Sequence, residues 1–176
     1  MPTIISHAAV PLAIGYGLGS RTIPRPLLAA GVLASMLPDA DVIFFRFGAT
    51  YDSAWAHRGF SHSIGFALAL GLIAAMVLRR IAPSAVAFGF VAAAAASHGL
   101  LDMLTNGGHG IALLWPATDK RFFFDWRPIQ VSPLATGRFV ARAARIATTE
   151  IFCIWVPAVI VALGLRETRF LQGGAR

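Results

Sequence analysis

The chain is constrained first by a series of apolar runs, each closed by proline, glycine or arginine. Ala8 to Gly19 lies in a stretch with no charged residue from Met1 to Ser20. Leu27 to Leu37 is stopped by Pro38, and Ile64 to Leu78 by Arg79 and Arg80. Ser84 to Leu101 is interrupted only by Ser97 and His98, and Ile151 to Leu165 is closed by Arg166. A membrane-crossing helix takes about 20 apolar residues, with a range of about 17–25. Several runs are shorter, so polar ends or close helix contacts must complete them. Small residues inside the runs (Gly15, Gly17, Gly31, Gly71, Gly89 and Ala92 to Ala96) allow such contacts in lipid. The expected fold class is all-α, an integral membrane bundle of about five short helices.

Composition removes the competing classes. Of 176 residues, 57% are hydrophobic and 13% charged. A soluble helical domain carries about 25% charged residues and needs that polar sequence to cover its core. So much apolar surface also excludes disorder, and the single Cys153 excludes a disulfide framework. The first basic residue is Arg21, so the basic start of a signal peptide is missing and residues 1–20 are expected to stay. One domain over 1–176 is expected, with its motifs at 7–116, a basic interfacial helix at 137–149 and a last membrane helix at 150–166.

Counting crossings sorts the polar residues onto two faces. Alternating helices place His7, Asp39, Asp41, His57, His62, His98, Asp102 and His109 at one end of the bundle. That set holds all five histidines and three of the eight acids. Scattered His and Asp meeting at one end of a bundle is what a metal site requires.

Each member alone has a plainer reading. His98 and Asp102 are four apart, on one helix face; they suit one divalent ion, or a hydrogen-bonded pair at a helix end. Asp39 and Asp41 follow Pro38 in Leu-Pro-Asp-Ala-Asp, where proline ends a helix and acids oppose its dipole. A cation would compensate them, and a solvated turn is the alternative. His57 and His62 share a site if His57 is in a loop, Gly59 allows a bend and His62 is in the first turn of the next helix, with Ser61 as a candidate cap. Otherwise one is interfacial and the other buried. His7 alone reads as an interfacial or capping residue. Arg58 suits an oxyanion or phosphoryl oxygen, or pairs with Asp39, Asp41 or a lipid phosphate.

Oxygen and imidazole ligands without cysteine suit Zn, Mn, Fe or Ni. Six or seven ligands exceed one tetrahedral ion, and two ions about 3.5–4 Å apart sharing a carboxylate fit better. Open coordination would make the site catalytic, and full occupation structural.

Taken in order, the motifs Leu37-Pro38-Asp39-Ala40-Asp41, His57-Arg58-Gly59-Phe60-Ser61-His62, Ser97-His98 through Asp102, Thr105 and Gly108, and Leu114-Trp115-Pro116 resemble the YdjM-like inner-membrane proteins. An N-terminal histidine, here His7, belongs to the same pattern. The resemblance implies a metal-dependent hydrolase and, for one branch, a link to the LexA-controlled damage (SOS) response. It also implies a distant similarity to the zinc-dependent phospholipase C and single-strand nuclease fold. On that similarity His7, Asp39 or Asp41, His62, His98 and Asp102 would bind zinc, with Asp102 bridging. This chain lacks the second His-x-x-x-acid helix that completes a third ion. Val42 also stands where many members carry histidine.

Basic residues have a separate pattern. Arg138, Arg142 and Arg145 recur at helical spacing, as expected for an amphipathic helix on anionic headgroups. Phe122, Phe123, Phe124 and Trp126 beside Lys120, Arg121 and Arg127 read as an interfacial belt or a lid. The pI of about 11.3 would also suit DNA, but no recognition motif accompanies the charges, so membrane lipids are the expected partner. Face assignment puts Arg21, Arg25, Arg79, Arg80, Arg166, Arg169 and Arg176 opposite the site. The short, nearly acid-free loops there favour that face as cytoplasmic.

The functional expectation is a bacterial inner-membrane hydrolase acting on a phosphoester or lipid-linked substrate through a metal-activated water. Asp39 or Asp41 would take the proton and Arg58 would steady the developing charge. A non-catalytic metal-binding membrane regulator or scaffold is the alternative.

Overall fold

The computed structural model describes residues 1–50, 53–132 and 139–173. Arg138 and Arg176, and with them the start of the expected 137–149 helix, lie outside the described residues. The described chain is helical with no strand. Helix α1 (Ile4–His7) and helix α2 (Ala9–Leu18) are separated only by Ala8. His7 is therefore inside a helical stretch that begins earlier than the apolar run does.

Helix α3 (Arg25–Met36) begins with a proline in its first turn, where a missing N–H costs nothing. It ends just before Pro38, as expected from the proline. The solvated turn, the alternative reading of Asp39 and Asp41, is not formed. The chain continues as a 3-10 helix over Leu37–Phe47 and closes at Gly48, whose φ is 85°. Proline blocks the wider helical bond, but its fixed φ fits the tighter turn. Asp39 and Asp41 are consequently held on rigid backbone and buried.

A short 3-10 turn, Phe60–His62, leads into helix α4 (Ile64–Val77). Ser63 caps α4: its Oγ accepts from Phe66 N at 3.1 Å. The sequence had offered Ser61 for that role. Helix α5 (Ser84–Met103) runs back toward the α4 start. The chain then folds over this end of the bundle, with isolated bridges at Thr105–Ile129 and Ile111–Phe122.

Helix α6 (Phe139–Glu150), a π-turn (Ile151–Trp155) and helix α7 (Val156–Gly173) form one continuous rod. The basic segment and the last span are thus joined, where two separate helices were expected. Pro157 lacks an N–H and would clash with the carbonyl four residues back, which accounts for the wider turn before it. Arg142 and Arg145 are exposed, while Ile146 is buried.

Packing is inverted relative to a soluble protein. Ala34, Ala67, Ala74, Ala87 and Ala95 fill the core around Leu27 and Phe90. Leu68, Leu72, Ile73, Met76, Val159, Ile160 and Leu163 are exposed. Small residues bring helices close, and large aliphatic ones face lipid. Arg25–Phe47, Ser84–Met103 and Arg142–Leu171 are long and apolar enough to cross a membrane, whereas Ile4–Leu18 and Ile64–Val77 are shorter.

Candidate metal centre

Four helix ends meet where the counted crossings placed them. His7 comes from α1, Asp39 and Asp41 from the 3-10 continuation of α3, and His62 from the turn before α4. His98 and Asp102 come from the last turns of α5, and His57 and Arg58 from the preceding loop. All eight side chains are buried, with His7, His98 and Asp102 at 0% exposure. His109 is exposed and lies outside the cluster.

Hydrogen bonds at the rim fix which atoms face inward. His98 Nδ1 donates to Ser35 O at 2.7 Å, so a neutral His98 presents a lone pair on Nε2. Asp41 does the same for two more rings: its Oδ1 is 2.8 Å from His57 Nδ1, and its Oδ2 is 3.2 Å from His62 Nδ1. Asp41 Oδ2 also accepts from Ser61 Oγ at 2.6 Å and from Arg58 N at 3.2 Å. Asp41 is thereby saturated and stands one layer outside the inner atoms.

The inner atoms are acceptors facing acceptors. His62 Nε2 and His98 Nε2 are 3.1 Å apart. Asp39 Oδ1 lies 3.4 Å from His98 Nε2, and Asp102 Oδ2 lies 3.4 Å from His62 Nε2. His7 Nε2 is 3.8 Å from Asp39 and 3.9 Å from Asp102. Among the described residues, both ring nitrogens of His7 and both oxygens of Asp39 and Asp102 are buried without a hydrogen-bond partner, Asp102 having only the ion-pair contact with Arg58. A tetrahedral zinc with bonds of about 2.0–2.1 Å spaces its ligand atoms about 3.3 Å apart; the two 3.4 Å separations match this, the 3.1 Å one is tighter and the His7 ones are wider. The residues present fit a divalent ion.

Three groups converge closely enough for one: His7 with Asp39 and His98, Asp39 with His57 and His62, and His62 with His98 and Asp102. Burial opposes charge on His62, but Asp102 and Asp41 outweigh it and raise its pKa to about 9. The Met1 amine, 4.0 Å from Asp102, is lowered by burial to about 6.

Arg58 is committed to holding this arrangement. Its Nε faces Asp102 Oδ2 at 3.1 Å, Nη1 donates to Gly107 O at 2.9 Å and Nη2 to Thr105 Oγ1 at 2.8 Å. Its backbone takes a φ of 70°, and its carbonyl accepts from Ala112 N and Arg121 Nη1. Left-handed backbone at a non-glycine residue costs on the order of 1–3 kcal/mol, and these contacts hold it there. The bend expected of Gly59 is thus made by Arg58. Gly59 is needed for room, since a Cβ there would lie 2.0 Å from Ala54 O. Phe123, from the aromatic run, lies against the Arg58 guanidinium at 5.8 Å.

The sequence model of the YdjM inner membrane protein family matches residues 1–171. The chain belongs to that family. It is also 43% identical to the inner membrane protein YbcI of Escherichia coli (strain K12) over 164 residues, covering 92% of this chain and 95% of that protein. No solved structure matches. The YdjM family description and the three long apolar helices agree on an inner-membrane location.

Within this YdjM family member, several residues around the cluster carried no signal at the sequence level. Ser35 contributes only a carbonyl. Thr3, Ser6, Glu150 and Trp155 form a network beside His7 that no spacing rule connects. The one available hint was Glu150 itself, an acid at the edge of an apolar run, where ionisable groups are costly.

Proposed function

We propose that this protein is a membrane-embedded, metal-dependent hydrolase of phosphoester or lipid-linked substrates. The observation that carries the reading is the buried 3.1 Å approach of two imidazole Nε2 atoms, flanked by Asp39, whose oxygens have no hydrogen-bond donor among the described residues, and by Asp102, which faces the Arg58 guanidinium. Such a cluster is stable only around a cation or trapped protons.

Each imidazole has one inward lone pair to give, which limits the combinations. His7, Asp39 and His98 would hold one ion and Asp39, His57 and His62 a second, sharing only Asp39. Asp39 belongs to both of these groups and would be shared between the ions, where the family resemblance had implied Asp102. Alternatively His62, His98 and Asp102 would hold a single ion, leaving Asp39 to accept a proton. When bound, divalent ions supply Lewis acidity and bring the pKa of water toward about 7. Zinc suits the donor set best, and Mn, Fe and Ni remain compatible.

The chain's own residues supply orientation. Asp41 and Ser35 fix the ring tautomers. Arg58 neutralises Asp102 and has most of its donors engaged, so its contribution is to the site's framework before any reacting oxygen. Exposed Trp126, beside Lys120 and Arg127, supports headgroup contact at the same end.

The test is metal content of detergent-purified protein, wild type against His98→Ala and Asp102→Ala, with a screen of phosphodiesters and phospholipids. Stoichiometric metal, its loss in both variants and turnover by the wild type alone would support the reading. Full metal content in both variants overturns it. Complete burial of His7, His98 and Asp102 favours a second reading, a structural metal in a regulator or scaffold. Bound metal with no turnover on any substrate supports that one.

A further inference from the structure

The last helix gives no ligand to the cluster, yet one buried carboxylate ties it there. Glu150, at the end of α6, is 5% exposed. Its Oε1 accepts from Thr3 N at 2.5 Å. Its Oε2 accepts from Thr3 Oγ1 and from Ser6 Oγ, both at 2.6 Å. Ser6 Oγ in turn accepts from Trp155 Nε1 at 3.0 Å. Every one of these bonds ends on the segment that carries His7.

The π-turn makes this convergence possible. Residues five apart on an α-helix point about 140° away from each other at 3.6 residues per turn. Glu150 and Trp155 could not then reach one hydroxyl. The wider i→i+5 turn over Ile151–Trp155 brings them close to alignment, and both close on Ser6.

His7 needs such external support. Helix α1 is the first turn of the stretch that continues into α2, and it has no side-chain cap, so its free end depends on contacts from outside. Among the described residues neither His7 ring nitrogen has a hydrogen-bond partner; the ring stacks on His98 at 3.7 Å and its Nε2 comes no nearer to Asp39 and Asp102 than 3.8 and 3.9 Å.

We propose that Glu150, Ser6 and Trp155 form a clamp that positions His7, so that the last helix sets the metal affinity of the centre. This rests on the metal reading above. Glu150 is a positioning residue that acts through His7.

The test uses the full-length protein in detergent and competition for Zn²⁺ against a chromophoric chelator. Glu150→Ala is expected to weaken zinc binding by about 10–100-fold, the usual range for residues that orient ligands. Glu150→Gln should retain most affinity, because its amide oxygen can accept from Thr3 N while both hydroxyls turn to accept from its NH₂. In a His7→Ala background, Glu150→Ala should cause no further loss. An equal loss in both backgrounds overturns the clamp, since damage unrelated to His7 would be additive. If His7→Ala weakens binding and Glu150→Ala does not, the clamp alone falls. If His7→Ala binds zinc like wild type, the role of His7 in the metal reading falls instead. Should Glu150→Ala not fold, Ser6→Ala and Trp155→Phe, each a smaller lesion in the same chain of bonds, decide by the same cycle.

Discussion

His62 and His98 meet Nε2 to Nε2 at 3.1 Å, with the second nitrogen of each ring already engaged, by Asp41 and by Ser35 O. Two lone pairs cannot share that space without a proton or an ion. In the metal-free protein His62 holds the proton, with its pKa raised to about 9. A raised folded-state pKa gives stability that is complete below the ordinary value of about 6.5 and lost as pH rises through about 9. Loading zinc must expel that proton. Proton release on zinc addition, measured by pH-stat, should approach one from His62 at pH 7 and fall away above pH 9. Release that is the same at pH 7 and pH 10 would contradict this.

Asp102 faces the buried Arg58 guanidinium at 3.1 Å. Asp102→Ala should therefore destabilise the protein by about 3–5 kcal/mol even without metal, because it strands a buried charge. His98→Ala removes a ligand without stranding a charge and should be milder in the metal-free state. Replacing the pair together, Arg58→Met with Asp102→Leu, should recover much of the stability and none of the metal binding. Denaturation in mild detergent, with and without chelator, separates these outcomes.

Gly99 sets how closely α5 approaches the His62 turn. A Cβ there would lie 2.9 Å from both His62 O and Ile111 Cδ1. Gly99→Val should cost about 1–3 kcal/mol through overpacking and weaken metal binding by displacing His62. Gly89, next to open space on the same helix, is the control. Gly89→Val should leave metal affinity unchanged when measured in parallel.

Two serines two residues apart should behave oppositely. Ser63 caps α4, so Ser63→Ala should cost about 0.5–2 kcal/mol and spare metal affinity. Ser61 donates to Asp41, so Ser61→Ala should loosen the rings Asp41 holds and lower metal affinity with a smaller effect on melting. Thermal melts and chelator competition on the two variants check the assignment.

The parts of this site written in sequence are those that local geometry or crossing number determines. His98 and Asp102 share a face by helical spacing, and counting crossings brings His7, Asp39 and His62 to the same end. Local competition decided what the sequence left open. Both Ser61 and Ser63 can cap a helix, and Asp41 captured one of them. Pro38 announces the end of α3 but not that the chain will coil on more tightly. The clamp was beyond reach because Glu150 and Ser6 are 144 positions apart, and hydroxyl–carboxylate pairs leave no periodic trace. Arg58 offered several partners on paper, and only the fold selects Asp102.

The guanidinium among the carboxylates also fixes an electrical balance. With ligand imidazoles neutral and the buried Met1 amine largely deprotonated above its pKa of about 6, Asp39, Asp41 and Asp102 against Arg58 leave two formal negative charges among the eight buried side chains of the cluster, Glu150 being counted apart in its own network. One divalent ion brings the cluster to neutrality. A second turns it doubly positive, and electroneutrality must then be restored by an anion entering from outside, such as a hydroxide or a phosphoester. Ion occupancy and the charge of the captured molecule are therefore not independent variables here: a cluster that fills with two ions becomes an anion receptor, and one that fills with a single ion has no electrostatic need of a guest.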